Sequence, residues 1–404
     1  MPAGTERPSL NLLREDVRLP ACVLRDGALE RNIARFQAFA EASGVLLCPH
    51  AKTSMTPALF GRQVGAGCWG LTFATCAQLE VARRHGVPRV FYANQLVGAL
   101  DVRYVCGELA RDPGFDFYCL ADSVAGVRLL AGHVAAAGPG RPVNVLVEAG
   151  LAGGRCGVRD VGTAVEVAQA VRAAGPHLAL VGVEGFEGLV RGREASRREA
   201  GVREFLGFLA GVARALDGRG LFGGDQVLVS AGGSAFYDLV IPALTALRLS
   251  RPHRVILRSG CYLTHDHGFY AGLLEDIHRR SGSAEPALEP ALEVWTQVLS
   301  VPEPGLIILS AGRRDFGQDA GNPIALTHVR RGSAERRSLR ESGWTMTAAS
   351  DQHAHMTAPP GHGVQVGDLV ALGPSHPCTT FDKWRELYLV DDGYNVIDTL
   401  PTYF

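Results

Sequence analysis

From about residue 40 to residue 265 the chain alternates short, nearly unbroken apolar runs with stretches of helical period. The runs are VLLCPHAKT (45–53), CWGLTFAT (68–75), RVFYANQ (89–95), FDFYCLAD (115–122), VNVLVEAG (143–150), LALVGVEGF (178–186), QVLVSAGG (226–233) and RVILRSG (254–260). Each is long enough for a buried strand, and such continuous apolarity is what a parallel sheet covered by helices requires. Between them, TCAQLEVARRHG (75–86) and VGTAVEVAQAVRAAG (161–175) carry a helical repeat and end on glycine. Eight strand–helix units over roughly 220 residues predict a (β/α)8 TIM barrel, with an open doubly wound sheet as the alternative.

Beyond residue 265 the texture changes. SGSAEPALEPA (281–291) reads as a connector, and LEVWTQVLSV, GLIILSAG, SGWTMTAAS, VGDLVALG and RELYLVDDGYNVIDTL alternate as antiparallel strands do. The segment VRRGSAERRSLRESG (329–343) reads as a charged loop or hairpin. The chain thus divides into a barrel over 25–268 and a C-terminal antiparallel β-domain over 269–404, joined by residues 1–24.

Composition narrows the function classes. A chain of 404 residues that is 47% hydrophobic and 20% charged has an ordinary globular core and room for two domains. A formal net charge of -1 gives no electrostatic reason to expect nucleic acid or a membrane as partner. No apolar run approaches the roughly 20 residues of a membrane span, and the N-terminus lacks the pattern of a signal peptide. Nine cysteines scattered through apolar segments read as reduced thiols of a cytoplasmic protein.

Barrel strands deliver their chemistry at their C-terminal ends. The first run ends in Lys52, beside His50, and a desolvated lysine loses basicity and becomes a nucleophile or base. The second ends in Thr75, the third in Asn94 and Gln95, the fourth in Asp122, and the sixth in Glu184 and Glu187. Arg155 lies in the glycine-rich turn after the fifth. The seventh and eighth end in SAGGSAF (230–236) and SGCY (259–262), small residues whose backbone N–H groups can converge on a phosphate. A lysine on strand one with a phosphate cup on strands seven and eight points to pyridoxal 5'-phosphate. The bland alternatives are a surface lysine and tight turns.

The motifs PHAKT, GGRCGV, SAGGS and RSGCY, in that order, resemble the fold-type III pyridoxal-phosphate enzymes. Within them the chain is similar to the group of D-serine dehydratase, D-threonine aldolase and D-threo-3-hydroxyaspartate dehydratase. The resemblance runs from about residue 19 to the C-terminus and implies an alanine racemase-like barrel. It implies that Lys52 carries the cofactor covalently, that His50 lies beside the ring and that Arg155 approaches its phenolic oxygen. Ser230, Gly232, Gly233, Ser234, Gly260, Cys261 and Tyr262 would line the phosphate. Members often have arginine where this chain has Cys48, and tyrosine where it has Phe186.

A second signal lies in GPSHPCTTFDKW (373–384), where His376 and Cys378 stand two apart and would point the same way on an extended segment. The same group of enzymes carries such a metal pair, which implies a divalent ion here, zinc foremost and manganese otherwise. His265 and His267 form another H-x-H pair, and Gln352 and His353 are candidates for facing substrate. The expected reaction is β-elimination from a D-β-hydroxy amino acid such as D-serine, D-threonine or D-threo-3-hydroxyaspartate, giving a keto acid and ammonia. Retro-aldol cleavage to glycine and an aldehyde is the alternative; a racemase and a non-catalytic cofactor carrier rank below. The resemblance also implies a homodimer.

Overall fold

A computed structural model describes residues 10–190, 192, 194–340 and 343–404. The segment 1–9, on which the reading against a signal peptide rests, lies outside the described residues, as do 341 and 342 of the charged segment.

The first strand, β1 (Ala21–Arg25), belongs to the C-terminal sheet. Eight strands then follow: β2 (Leu46–Leu47), β3 (Leu71–Phe73), β4 (Arg89–Gln95), β5 (Asp116–Ala121), β6 (Val143–Ala149), β7 (Leu178–Gly185), β8 (Val227–Ala231) and β9 (His253–Leu257). They pair in parallel in the order β2-β9-β8-β7-β6-β5-β4-β3. The ends meet: Trp69 N–H donates to the Leu47 carbonyl at 2.7 Å and Thr72 N–H to the Pro49 carbonyl at 2.8 Å, beside a His50–Thr72 bridge. The sheet therefore closes, and the fold is the TIM barrel and not the open sheet.

The two-residue alternation of a strand decides what each barrel strand offers inward. Val143, Val145 and Val147 of β6 face the helices, as do Val227 and Val229 of β8 and Val255 and Leu257 of β9. The opposite parity puts Leu146, Leu228 and Ile256 inside, where with Cys48, Phe91 and Leu120 they plug the barrel. One repeat further along, the same inward parity presents Glu148, Ser230 and Arg258. A dry plug thus carries a polar layer at the C-terminal ends of the strands.

The expected helices form at Cys76–Arg84 and Val161–Ala173. Thr75 caps the first, its hydroxyl accepting the Gln78 N–H at 3.3 Å, so it serves the helix start and not the cavity. Gly86 follows that helix in the left-handed region at φ 76°.

The C-terminal sheet is built from β10 (Leu292–Glu303), β11 (Leu306–Leu309), β12 (Ile324–Val329), β13 (Arg336–Ser338), β14 (Thr345–Ala349), β15 (Ala354–Thr357), β16 (Leu369–Gly373), β17 (Glu386–Val390) and β18 (Val396–Pro401). Its main path runs β13-β12-β16-β10-β1-β17-β18, antiparallel except where β1 meets β17. The charged segment makes the β12–β13 hairpin. No disulfide joins the nine cysteines, and among the described residues no helix is long and apolar enough to cross a membrane.

Candidate functional site: a cavity between barrel and β-domain

A cavity of about 670 Å³ opens over the polar layer, lined by barrel strand ends and by one loop of the β-domain. His50, Lys52, Arg155, Ser234, Gly260, Cys261, His376 and Cys378 all line it.

Lys52 sits in the single helical turn Ala51–Thr53 that follows β2. Burial lowers its ammonium pKa from the ordinary lysine value; Cys378 pulls it back up, and Arg155 and Arg258 depress it further. His50 is half-buried, with a buried Nδ1 that has no partner, and desolvation together with Lys52 holds its pKa well below the usual imidazole value. Gly260 lies so close that a Cβ there would stand 2.7 Å from the His50 Cβ and carbonyl oxygen. Only glycine lets the loop after β9 approach this strand end.

The polar layer carries opposed charges. Arg258 and Glu184 form an ion pair, each side chain 2% exposed, and Arg258 Nε also donates to Ser230 Oγ at 3.0 Å. Burial raises the Glu184 carboxyl above the usual range; Arg258 counters, and Glu148 and Glu187 push it up again. Glu184 Oε2 is a buried atom without a partner. Gln95 at the end of β4 donates to Glu148 on β6, reaching past β5.

The glycine cup behaves as an anion site, with an occupant of its own. Gly232 N–H and Gly233 N–H donate to the two carboxylate oxygens of Glu187 at 3.0 and 2.6 Å. Phe186, bearing no hydroxyl, packs its ring between Gly188 and Gly232, where a Cβ on either glycine would come within 2.5 Å of it. Arg155 lies over the other side of that ring, 5.1 Å from its centre.

Some expected residues point elsewhere. Ser230 lies in the layer below the cavity, donating to the Ile256 carbonyl at 3.1 Å. Tyr262 stacks on Phe36 and accepts from Gln63 at 3.0 Å, facing the helices. Gln352 and His353 are exposed in the β14–β15 turn and do not line the cavity within one chain. His267 contacts Arg340, a cation, and the ring fills the space over Gly373.

The segment holding His376 and Cys378 is not extended. Pro377 is in the αR region at φ −61°, and Cys378 opens the one-turn helix Cys378–Phe381, as a proline-fixed φ favours. Both side chains still line the cavity from that turn. His376 Nδ1 pairs with Asp319 Oδ2 at 2.6 Å, and Thr379 donates to the other Asp319 oxygen at 2.6 Å. Burial would lower the His376 pKa, but Cys378 and Asp319 raise it to about 9. Cys378 Sγ lies 3.3 Å from Thr53 Oγ1 and 3.9 Å from Cys261 Sγ. Its pKa falls well below the ordinary thiol value, through Cys261 first and His376 after it.

Arg258, Glu148, Asp319 and Tyr270 were not anticipated as site residues. A tighter metal-capable group, Asp122, Glu148 and Cys156, has all ligand atoms within 4.8 Å of one another at the edge of the cavity.

The donor chemistry fits two groups. A buried low-pKa amine, an orphaned imidazole nitrogen and a loop closed by glycine fit pyridoxal phosphate; an imidazole beside a thiolate fits zinc.

Comparisons with known proteins agree. Residues 291–390 match a family model described as "Putative serine dehydratase domain". The chain is 27% identical to D-threonine aldolase of Arthrobacter sp over 96% of its own length and 92% of that protein. It is 26% identical to D-threo-3-hydroxyaspartate dehydratase of Delftia sp. over 89% and 91%. Among solved structures, D-threonine aldolase from Filomicrobium marinum superposes with a TM-score of 0.79 at 23% identity, covering 98% of this chain and 97% of that one. A cysteine-to-alanine variant of D-threo-3-hydroxyaspartate dehydratase, in the metal-free form, gives 0.74 at 22% identity, over 97% and 99%. An alanine racemase-like protein from Idiomarina loihiensis gives 0.70 at 17%, over 96% and 97%.

Fold and relatives point one way: the chain has an alanine racemase-like barrel with a β-domain, and the proteins it is similar to in sequence are lyases, the aldolases and dehydratases just described.

Proposed function

We propose that the protein catalyses β-elimination from a D-configured β-hydroxy amino acid, releasing a keto acid and ammonia. The observation that carries this reading is the Thr53–Cys378 contact at 3.3 Å. It ties the residue next to Lys52 to the candidate metal pair, so a base for the α-carbon and an acid for the β-hydroxyl meet where the two walls of the cavity touch.

Lys52 would hold pyridoxal phosphate, and its lowered pKa makes the neutral amine available to take the proton from the substrate Cα. The cofactor, when bound, supplies an electron sink for the charge left on that carbon. His376 and Cys378 would hold the divalent metal, zinc foremost, which supplies Lewis acidity toward the β-hydroxyl. Asp319 fixes the His376 ring through Nδ1 and leaves Nε2 free of that bond for a metal. Arg155 lines the mouth as a cation for an oxygen of the cofactor or substrate. Loss of the α-proton and β-hydroxyl together is loss of water, and hydrolysis of the product yields the keto acid and ammonia. The cysteine in the metal pair favours this reading, since a relative's metal-free form is a cysteine variant of a dehydratase.

Retro-aldol cleavage is the second reading, favoured because the D-threonine aldolase matches a larger share of the chain than the dehydratase does. D-serine, D-threonine and D-threo-3-hydroxyaspartate, each with and without a chelator, separate the two. Elimination gives keto acid and ammonia, abolished by the chelator; glycine plus an aldehyde as the main products would replace it with the aldolase.

A further inference from the structure

The loop after β9 brings Cys261 into the cavity from the barrel, while Cys378 arrives from the β-domain, 117 residues further along the chain. Their sulfurs stand 3.9 Å apart. Two thiolates bound to one tetrahedral zinc at about 2.3 Å would lie roughly 3.8 Å from each other. That agreement gives Cys261 a use that its place in a phosphate loop did not suggest.

We propose that Cys261 is a third protein ligand of the metal, so that the site is Cys261, His376 and Cys378 with one position left open. The proposal rests on the metal reading above and extends it. Three protein ligands plus one exchangeable position is the composition of a catalytic zinc site; two ligands alone leave half the shell to water.

The surroundings suit that assignment. Gly260 fixes where the loop runs, because its backbone lies against His50 with no room for a Cβ. Two of the proposed ligands have an outer partner: Asp319 on His376 and the Thr53 hydroxyl on Cys378. Outer partners of this kind orient ligands and tune them. His376 is the looser corner, tied to Asp319 and outside the tight spacing that marks the Asp122 group. The bland alternative is a thiol–thiolate hydrogen bond that merely fills the wall between the domains.

X-ray absorption at the zinc edge of the zinc-loaded holoenzyme decides between them, because it counts sulfur neighbours directly. Two sulfurs at about 2.3 Å are expected, falling to one in Cys261→Ala. Loss of an outer partner costs about 10–100-fold in metal affinity, so loss of this ligand should weaken zinc binding by about 100-fold or more in chelator competition. Cofactor absorbance reports whether the variant is folded; if it is not, the wild-type count alone gives the answer. One sulfur in the wild type, or unchanged affinity in a folded Cys261→Ala, would overturn the third ligand and leave the metal reading standing. A wild-type protein that retains no zinc would remove the metal reading and the third ligand together.

Discussion

The two walls of the cavity are made in opposite ways. The barrel wall is a set of strand ends fixed by the parallel ladder, and its chemistry is ionic: Lys52, Arg155 and Arg258 against Glu148, Glu184 and Glu187. The β-domain wall is one short loop after β16, tied by Asp319, Thr379 and Thr53, and its chemistry is imidazole and thiol. A rigid ladder can hold a charged layer above a dry plug, where misplacement by one residue would turn every charge toward the helix-packed face. A loop can be brought to the cavity by a few side-chain bonds and change without disturbing the barrel. The barrel wall is therefore suited to gripping a cofactor, and the β-domain wall to choosing what happens at the β-carbon.

The strongest way to break that division is Lys52→Ala. Borohydride should trap labelled cofactor at position 52 in the wild type and nowhere in the variant, and turnover should fall by about 10⁴-fold or more, since both the attachment and the base are lost. Zinc content should be unchanged. Loss of zinc together with the cofactor would show that the two walls are not independent.

Removing Arg258 attacks the charged layer itself. Arg258→Met leaves Glu184 buried beside Glu148 and Glu187 without its cation, and breaking one side of a buried pair costs about 3–5 kcal/mol. Chemical denaturation should show that loss. Adding Glu184→Gln removes the stranded charge and should recover much of it, again without touching zinc binding. Equal destabilisation of the single and double variants would mean that the pair is not what holds the layer.

The barrel wall was the more legible of the two in the sequence. The eight runs carry the strands because a buried parallel strand has to be nearly all apolar, and RVFYANQ coincides with β4. Lys52 and the glycine loops stood out because lysine and glycine are costly at the end of such a run. Arg258 and Glu148 also interrupt apolar runs, and their inward parity with Ile256 and Leu146 was a signal that a strand-by-strand count would have caught. Glu187 could not be placed, because its partners Gly232 and Gly233 lie 45 and 46 residues on. Asp319 and Tyr270 have no local signal at all: the first reaches the site from a loop and the second from the first turn of the helix Phe269–Ser281, both by packing between distant segments. Proline between His376 and Cys378 was visible, and its αR preference explains why an extended pair did not form.

The comparison extends to how each sheet holds a buried carboxylate. Glu184 in the barrel faces a guanidinium; Glu293 on β10 accepts only neutral donors at contact distance, Trp295 Nε1 at 2.8 Å and Tyr394 OH at 2.9 Å, both on the same oxygen. Burial raises the Glu293 pKa above its ordinary 4.5, with those donors and the more distant Arg25 and Arg336 lowering it only in part. A raised carboxyl means the folded protein binds that proton more tightly than the unfolded chain does. Its contribution is complete below pH 4.5 and is lost as pH rises through the folded value. Gln at this position keeps one oxygen for both donors and never ionises. The stability of Glu293→Gln should therefore match the wild type near pH 4 and exceed it, by on the order of 1 kcal/mol, once the pH is well above the folded value. A gap that instead opened against the variant with rising pH would show that the ionised carboxylate is the form the β-domain prefers, and that both sheets stabilise their buried acids as charges.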